Sequence, residues 1–134
     1  MRIAGAALAL LLASACGPSE LRVTMNSDNN SGQVGFAVIE RLGDRGLRVT
    51  VETTVPSTGT AKQSAHIHKD NCGEIGDVVV GLNALESLGD MRFGSTTETE
   101  VLTFDDLKQG NYCINAHDAT DPTVYVSCGE IPKP

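Results

Sequence analysis

The sequence predicts an all-β domain, an eight-stranded Greek-key β-sandwich or barrel. Three observations lead there. Short segments of alternating apolar and polar residues recur along the chain, about eight of them, each bounded by turn signals. Val and Thr are frequent, aromatics make up 4%, Trp is absent and Gly numbers 14, a mixture that suits short strands and turns. No segment carries a sustained 3.6-residue period. A chain of 134 residues is expected to form one domain.

The strands follow in order. "ELRVTMNS" alternates Leu21, Val23 and Met25, and "NNSG" turns the chain. "QVGFAVIER" carries Val34, Phe36 and Val38 on one face. "LGDRG" at 42–46 is a hairpin turn whose glycines accept positive φ. "LRVTVETTV" alternates Leu47, Val49, Val51, Thr53 and Val55 until Pro56 ends it. "PSTGTAKQ" is a loop into an "AHIH" strand, and "NCGEIG" is another loop. "DVVVGL" reads as a short buried strand and "ESLGDMRFG" as irregular. "STTETEVLTF" alternates again with Thr and Glu outward, and "DDLKQGN" is a turn or a single helical turn. "YCINAHD" and "TVYVSCGEI" are the last two strands.

The first residues stand apart from this pattern. "MRIAGAALALLLASAC" has one early cation, Arg2, an apolar run from Ile3 to Leu12, and small residues before Cys16, the layout of a secretory signal. The run is too short to span a bilayer as a helix. "ASA" at 13–15 fits an ordinary cleavage site. "LASAC" also resembles the bacterial lipobox, apart from Ala13 where Leu is usual. The cysteine at the scissile bond favours the second reading. The expected organisation is a signal peptide at 1–15, a lipidated Cys16 with a tether at 16–20, and a β domain at 21–134. The protein is then an exported lipoprotein of a bacterial cell envelope, in the periplasm or on the outer surface, held at the membrane by its acyl chains.

Loss of Arg2 takes the net charge from −7 to −8, so nothing points to nucleic acid. Export implies an oxidising compartment. With Cys16 lipidated, Cys72, Cys113 and Cys128 leave one bridge and one free thiol; otherwise two bridges are possible.

The chemistry concentrates in the chain's three histidines. His66 and His68 share one face of a strand, with Cα atoms roughly 6.5–7 Å apart, and two such imidazoles can converge on one ion. The bland alternative is a half-exposed strand with two polar residues outward. His117 ends the strand that places Cys113, Asn115 and His117 on one face. A site of three imidazoles suits copper or zinc. Cys113 lies roughly 13 Å along the strand from His117, too far to ligate the same ion.

The order "AHIH…Cys72…NAHDATD…YVSCGEI" resembles the copper/zinc superoxide dismutase superfamily over roughly residues 20–131. The related chordin-type (CHRD) domain shares "AHIH" and a late histidine, and usually lacks the cysteine pair. The first resemblance implies a superoxide dismutase-like barrel with His66, His68 and His117 as copper ligands. It also implies Asp121 as the carboxylate that orients a liganding imidazole, although "DP" at 121–122 is equally ordinary turn chemistry. Cys72 and Cys128 match that family's disulfide.

The chain also departs from that pattern. No histidine remains for a bridging or zinc position, and the long loop after the cysteine is missing, so the implied site holds one copper ion (zinc as the alternative) and no dinuclear pair. Tyr125 stands where the family keeps an arginine that attracts superoxide. Lys62 and Lys69 are the only cations near the motif in sequence, and the acidic chain repels anions unless its charges lie elsewhere.

Three readings result. In the first, the protein is an exported superoxide dismutase-like copper protein that either dismutes superoxide or only holds the metal. In the second, it is a CHRD-like, non-catalytic extracytoplasmic binding or scaffold module whose histidines are structural. In the third, it is a copper or zinc buffer at the cell surface. Its partners are accordingly superoxide or a metal ion, and the sequence leaves the oligomeric state open.

Overall fold

A computed structural model describes residues 17–134. The signal peptide expected at 1–15 and the lipidation expected at Cys16 lie outside the described residues. Eight strands and one short helix follow in order: β1 (Glu20–Ser27), β2 (Gly35–Leu42), β3 (Gly46–Thr54), β4 (Gln63–Asn71), β5 (Glu74–Gly89), β6 (Arg92–Thr99), α1 (Phe104–Gln109), β7 (Tyr112–His117) and β8 (Tyr125–Glu130). They close a barrel in the order β1-β2-β3-β6-β5-β4-β7-β8, every pair antiparallel. The spatial run β7-β4-β5-β6 is a Greek key: three hairpin-connected strands, with the fourth returning beside the first. The expected all-β, eight-stranded Greek-key fold is the one found.

Alternation decides which side chains fill the barrel. Leu21, Val23 and Met25 of β1 point inward, as do Leu47, Val49 and Val51 of β3, Ala65 and Ile67 of β4, and Ile114 and Ala116 of β7. Strand β2 buries the face opposite to that of Val34, Phe36 and Val38. Its core residues are Ala37 and Ile39, whereas Val34 is 43% exposed. Register explains the choice: Ala37 lies opposite Val23 and Val51, both buried, while Phe36 lies opposite Thr24 and Glu52. Phe36 is occupied outside, beneath the Arg22 guanidinium at 4.4 Å from the ring centroid.

Strand β5 is a correction. It runs 16 residues instead of the short buried stretch at 77–82; Val80 and Leu85 are buried, but Val78 is 54% exposed. The segment at 86–94, read as irregular, is a hairpin from β5 into β6. Asp90 and Met91 form its tip with φ of 50° and 59°. That conformation is usually signalled by Asn-Gly or Asp-Gly, and Asp-Met carries no such signal. On β6, Thr96 and Glu98 face outward as expected, and Thr97 turns inward.

Two polar devices close the barrel. Gln33 and Gln63 are both buried and exchange amide hydrogen bonds: Gln33 Nε2 donates to Gln63 Oε1 (2.7 Å) and Gln63 Nε2 donates to Gln33 Oε1 (3.0 Å). Gln33 Nε2 also donates to Thr53 Oγ1 (2.9 Å), so the network is mutually satisfied. At α1, Thr103 caps the helix and the Asp106 carboxylate accepts the Thr103 N–H at 2.7 Å, a capping box that seats Phe104 and Leu107 in the core.

Candidate metal centre

The inward packing of Ala65 and Ile67 leaves His66 and His68 on the outer face of β4. Strand β7 does the same: Ile114 and Ala116 enter the core, and Cys113, Asn115 and His117 share the outer face. In the β4–β7 register His66 lies opposite Asn115 and His68 opposite Cys113. Both strands shift register at the site. Val79 is the extra residue between the pairs Ile67–Val80 and His68–Val78, and Val126 is the extra residue between Ala116–Ser127 and His117–Tyr125. Such bulges twist a strand locally and re-aim its side chains.

The three imidazoles converge. His66 Nδ1 lies 2.8 Å from His117 Nε2. One ligating atom from each of His66, His68 and His117 lies within 4.8 Å of the others. The second nitrogen of two rings is fixed by backbone: His117 Nδ1 donates to the Pro122 carbonyl (2.6 Å), and His68 Nδ1 donates to the Gly76 carbonyl (2.9 Å). The tautomers follow from this network. Each of these rings keeps a lone pair on Nε2, so His66 Nδ1 carries the proton shared with His117.

This donor set fits a transition-metal ion. His68 Nε2 is a buried lone pair with no hydrogen-bond partner among the described residues, which is costly unless something occupies it. Imidazole N–H groups held by carbonyls are the arrangement that orients metal-ligating rings. Bonds of about 2.0 Å place two nitrogens about 2.8 Å apart at a right angle and about 4.0 Å apart when opposite. The His66–His117 separation matches the first geometry, and the widest pair needs to close by under about an ångström.

Asp121 does not hold an imidazole here. Its Oδ1 accepts from the Thr123 N–H (3.0 Å) and hydroxyl (2.6 Å), an Asx turn, and the Pro122 carbonyl next to it takes the His117 N–H. The turn reading of "DP" is the one found. Tyr125 stands over the site, its ring centroid 5.0 Å from that of His117 and 6.3 Å from that of His68. A phenol therefore faces the cluster where the superoxide dismutase resemblance implied an arginine. Lys62 is paired with Glu86 at 2.7 Å, and Lys69 is exposed.

Burial lowers the pKa of His66 below the ordinary imidazole value, and charge on His117 and His68 lowers it further. His66 is therefore disposed to stay neutral, the form that binds metal.

Cys72 and Cys128 form a disulfide with Cα atoms 6.0 Å apart, pinning the β4–β5 turn to β8. Cys113 is a buried free thiol, and burial, with the carboxylates of Glu130 and Asp70, pushes it up to about 11. Sequence reasoning missed the two carbonyls, which no side chain announces. It also missed the pairing of Cys113 opposite His68, because distance along a strand says nothing of the neighbouring strand.

The family model described as the CHRD domain matches residues 13–127, a span that includes all three histidines. No curated protein matches the chain.

Proposed function

The chain belongs to the CHRD domain family, and from that premise we propose that it is an extracytoplasmic binding module whose ligand is one transition-metal ion held by His66, His68 and His117. The observation that carries the reading is the unpartnered, buried Nε2 of His68 beside a His66–His117 nitrogen pair 2.8 Å apart. Copper is the metal we favour and zinc the alternative, because imidazole nitrogen suits both. His66, His68 and His117 ligate; the Gly76 and Pro122 carbonyls keep two of the rings in the binding tautomer. The Cys72–Cys128 disulfide supports a place outside the reducing cytosol. Anchoring through Cys16 is part of the same proposal.

Binding without turnover is preferred over dismutation. Tyr125 offers no positive charge to an incoming anion, and the chain carries a net charge of −7. Dismutation of superoxide is the second reading, favoured by the same three-imidazole geometry, which leaves coordination positions open. Titration of copper(II) and zinc(II) into the metal-free protein, with a superoxide-consumption assay on the loaded form, separates the two. Stoichiometric binding with no consumption above free copper meets the proposal. Failure of both metals to bind contradicts it.

A further inference from the structure

We propose a second metal site, built of sulfur, at Cys72, Cys113 and Cys128, which opens when the disulfide is reduced and takes a soft monovalent ion such as copper(I). The three sulfur atoms lie within 4.8 Å of one another, and Cys113 and Cys128 are buried. An ion bonded to three sulfurs at about 2.3 Å places them about 4 Å apart, so the cluster nearly has the required dimensions. Thiolate sulfur selects copper(I) over harder ions. The site is distinct from the imidazole cluster in donor type and in preferred oxidation state.

Two further observations bear on the cluster. Asn115 is fully buried, and neither its Nδ2 nor its Oδ1 has a hydrogen-bond partner among the described residues. It lies between the two clusters, opposite Cys128 on one side and His66 on the other, and shares the outer face of β7 with Cys113. A thiolate is a strong acceptor that can use such an amide donor, whereas a disulfide sulfur is a poor one. The disulfide is also reachable: a groove of about 550 Å³ is walled by Cys72 and Cys128 together with Arg22, Asn26, Asp28 and Glu130. A small dithiol can enter it.

The chemistry balances. The dithiol gives two electrons and two protons to the Cys72–Cys128 bond and closes to its own disulfide, leaving three thiols. Each sulfur that then bonds the ion releases its proton to solvent. The site is present only under reduction and does not depend on the histidine reading.

The test uses the full chain carrying Cys16→Ser, so that only these three cysteines remain. Copper(I) is added anaerobically, with and without prior dithiol treatment. The reduced protein should bind one copper(I) per chain and gain near-ultraviolet thiolate-to-copper absorption, and the oxidised protein should gain none. Adding Cys113→Ser should weaken copper(I) binding by about tenfold or more and remove about a third of that absorption. His66→Ala/His68→Ala should leave the absorption in place. Equal affinity with and without Cys113, or no absorption on reduction, overturns the proposal. So does a reduced chain that loses its strand circular dichroism and does not regain it with copper(I).

Discussion

His66 Nδ1 and His117 Nε2, 51 residues apart in sequence, meet at 2.8 Å on the outer face of a closed barrel. The contact forms because β4 and β7 are neighbours in the Greek key and place Ala65 opposite Ala116. Both alanines fill the core, so the residues beside them must point outward together. Packing thus builds the site, and the bulge at His117 adjusts its aim.

Burial of His66, with the nearby His117 and His68, makes the metal-free protein sensitive to acid. The pKa of His66 is lowered in the folded state, so the unfolded chain binds the proton more readily. Stability is then complete above the unfolded imidazole value, about 6.5, and falls as pH drops below it toward the folded value. Urea melts from pH 8 to 5 should show this decline, and His66→Gln should flatten it. Metal affinity should fall over the same range as protons compete for the nitrogens. A melting midpoint unchanged from pH 8 to 5 would contradict the assignment.

Bound metal should stabilise the fold by linkage. At a free ion concentration a thousand times the dissociation constant the gain is about 4 kcal/mol. Thermal melts with copper(II) should shift upward, and His68→Ala should abolish most of the shift with a small cost in the metal-free protein. An equal shift in His68→Ala would place the ion elsewhere.

The glutamine pair is a structural prediction independent of the site. Gln63→Leu removes a partner from Gln33 and leaves a buried amide unsatisfied, at a cost of about 1–3 kcal/mol. The double change Gln33→Leu/Gln63→Leu should cost less than the sum of the single changes. Denaturant midpoints measure both.

Removing the disulfide as Cys72→Ser/Cys128→Ser opens a loop with a sequence separation of 56. The chain-entropy argument gives a loss of about 4 kcal/mol, a fall in melting temperature of about 10–20 °C. A melting temperature that does not move would show that the staple adds nothing to the barrel.

Much of the barrel was legible because a strand with one buried face writes that face as alternation. Leu21, Val23 and Met25 show it, as do Leu47, Val49 and Val51. The core face of β2 was not legible because Ala37 is small and Phe36 large, and size is no guide when Arg22 covers the ring outside. The β5–β6 hairpin was hidden by the Asp-Met tip and by a strand largely exposed along its length. In the site, the three histidines were legible as residue types at matching phase. Their supports were not, since Gly76 and Pro122 act through carbonyls that every residue carries. Asp121 shows the converse: a carboxylate at a suggestive spacing whose Oδ1 accepts within its own turn.

The central claim is that three imidazoles of one barrel face hold a single ion. Electron paramagnetic resonance of the protein loaded with one equivalent of copper(II) tests it most directly. One copper(II) species with nitrogen hyperfine coupling is expected, lost in His66→Ala/His68→Ala and altered in His117→Ala. A spectrum of weakly held or free copper, or one that survives all three substitutions, would contradict it.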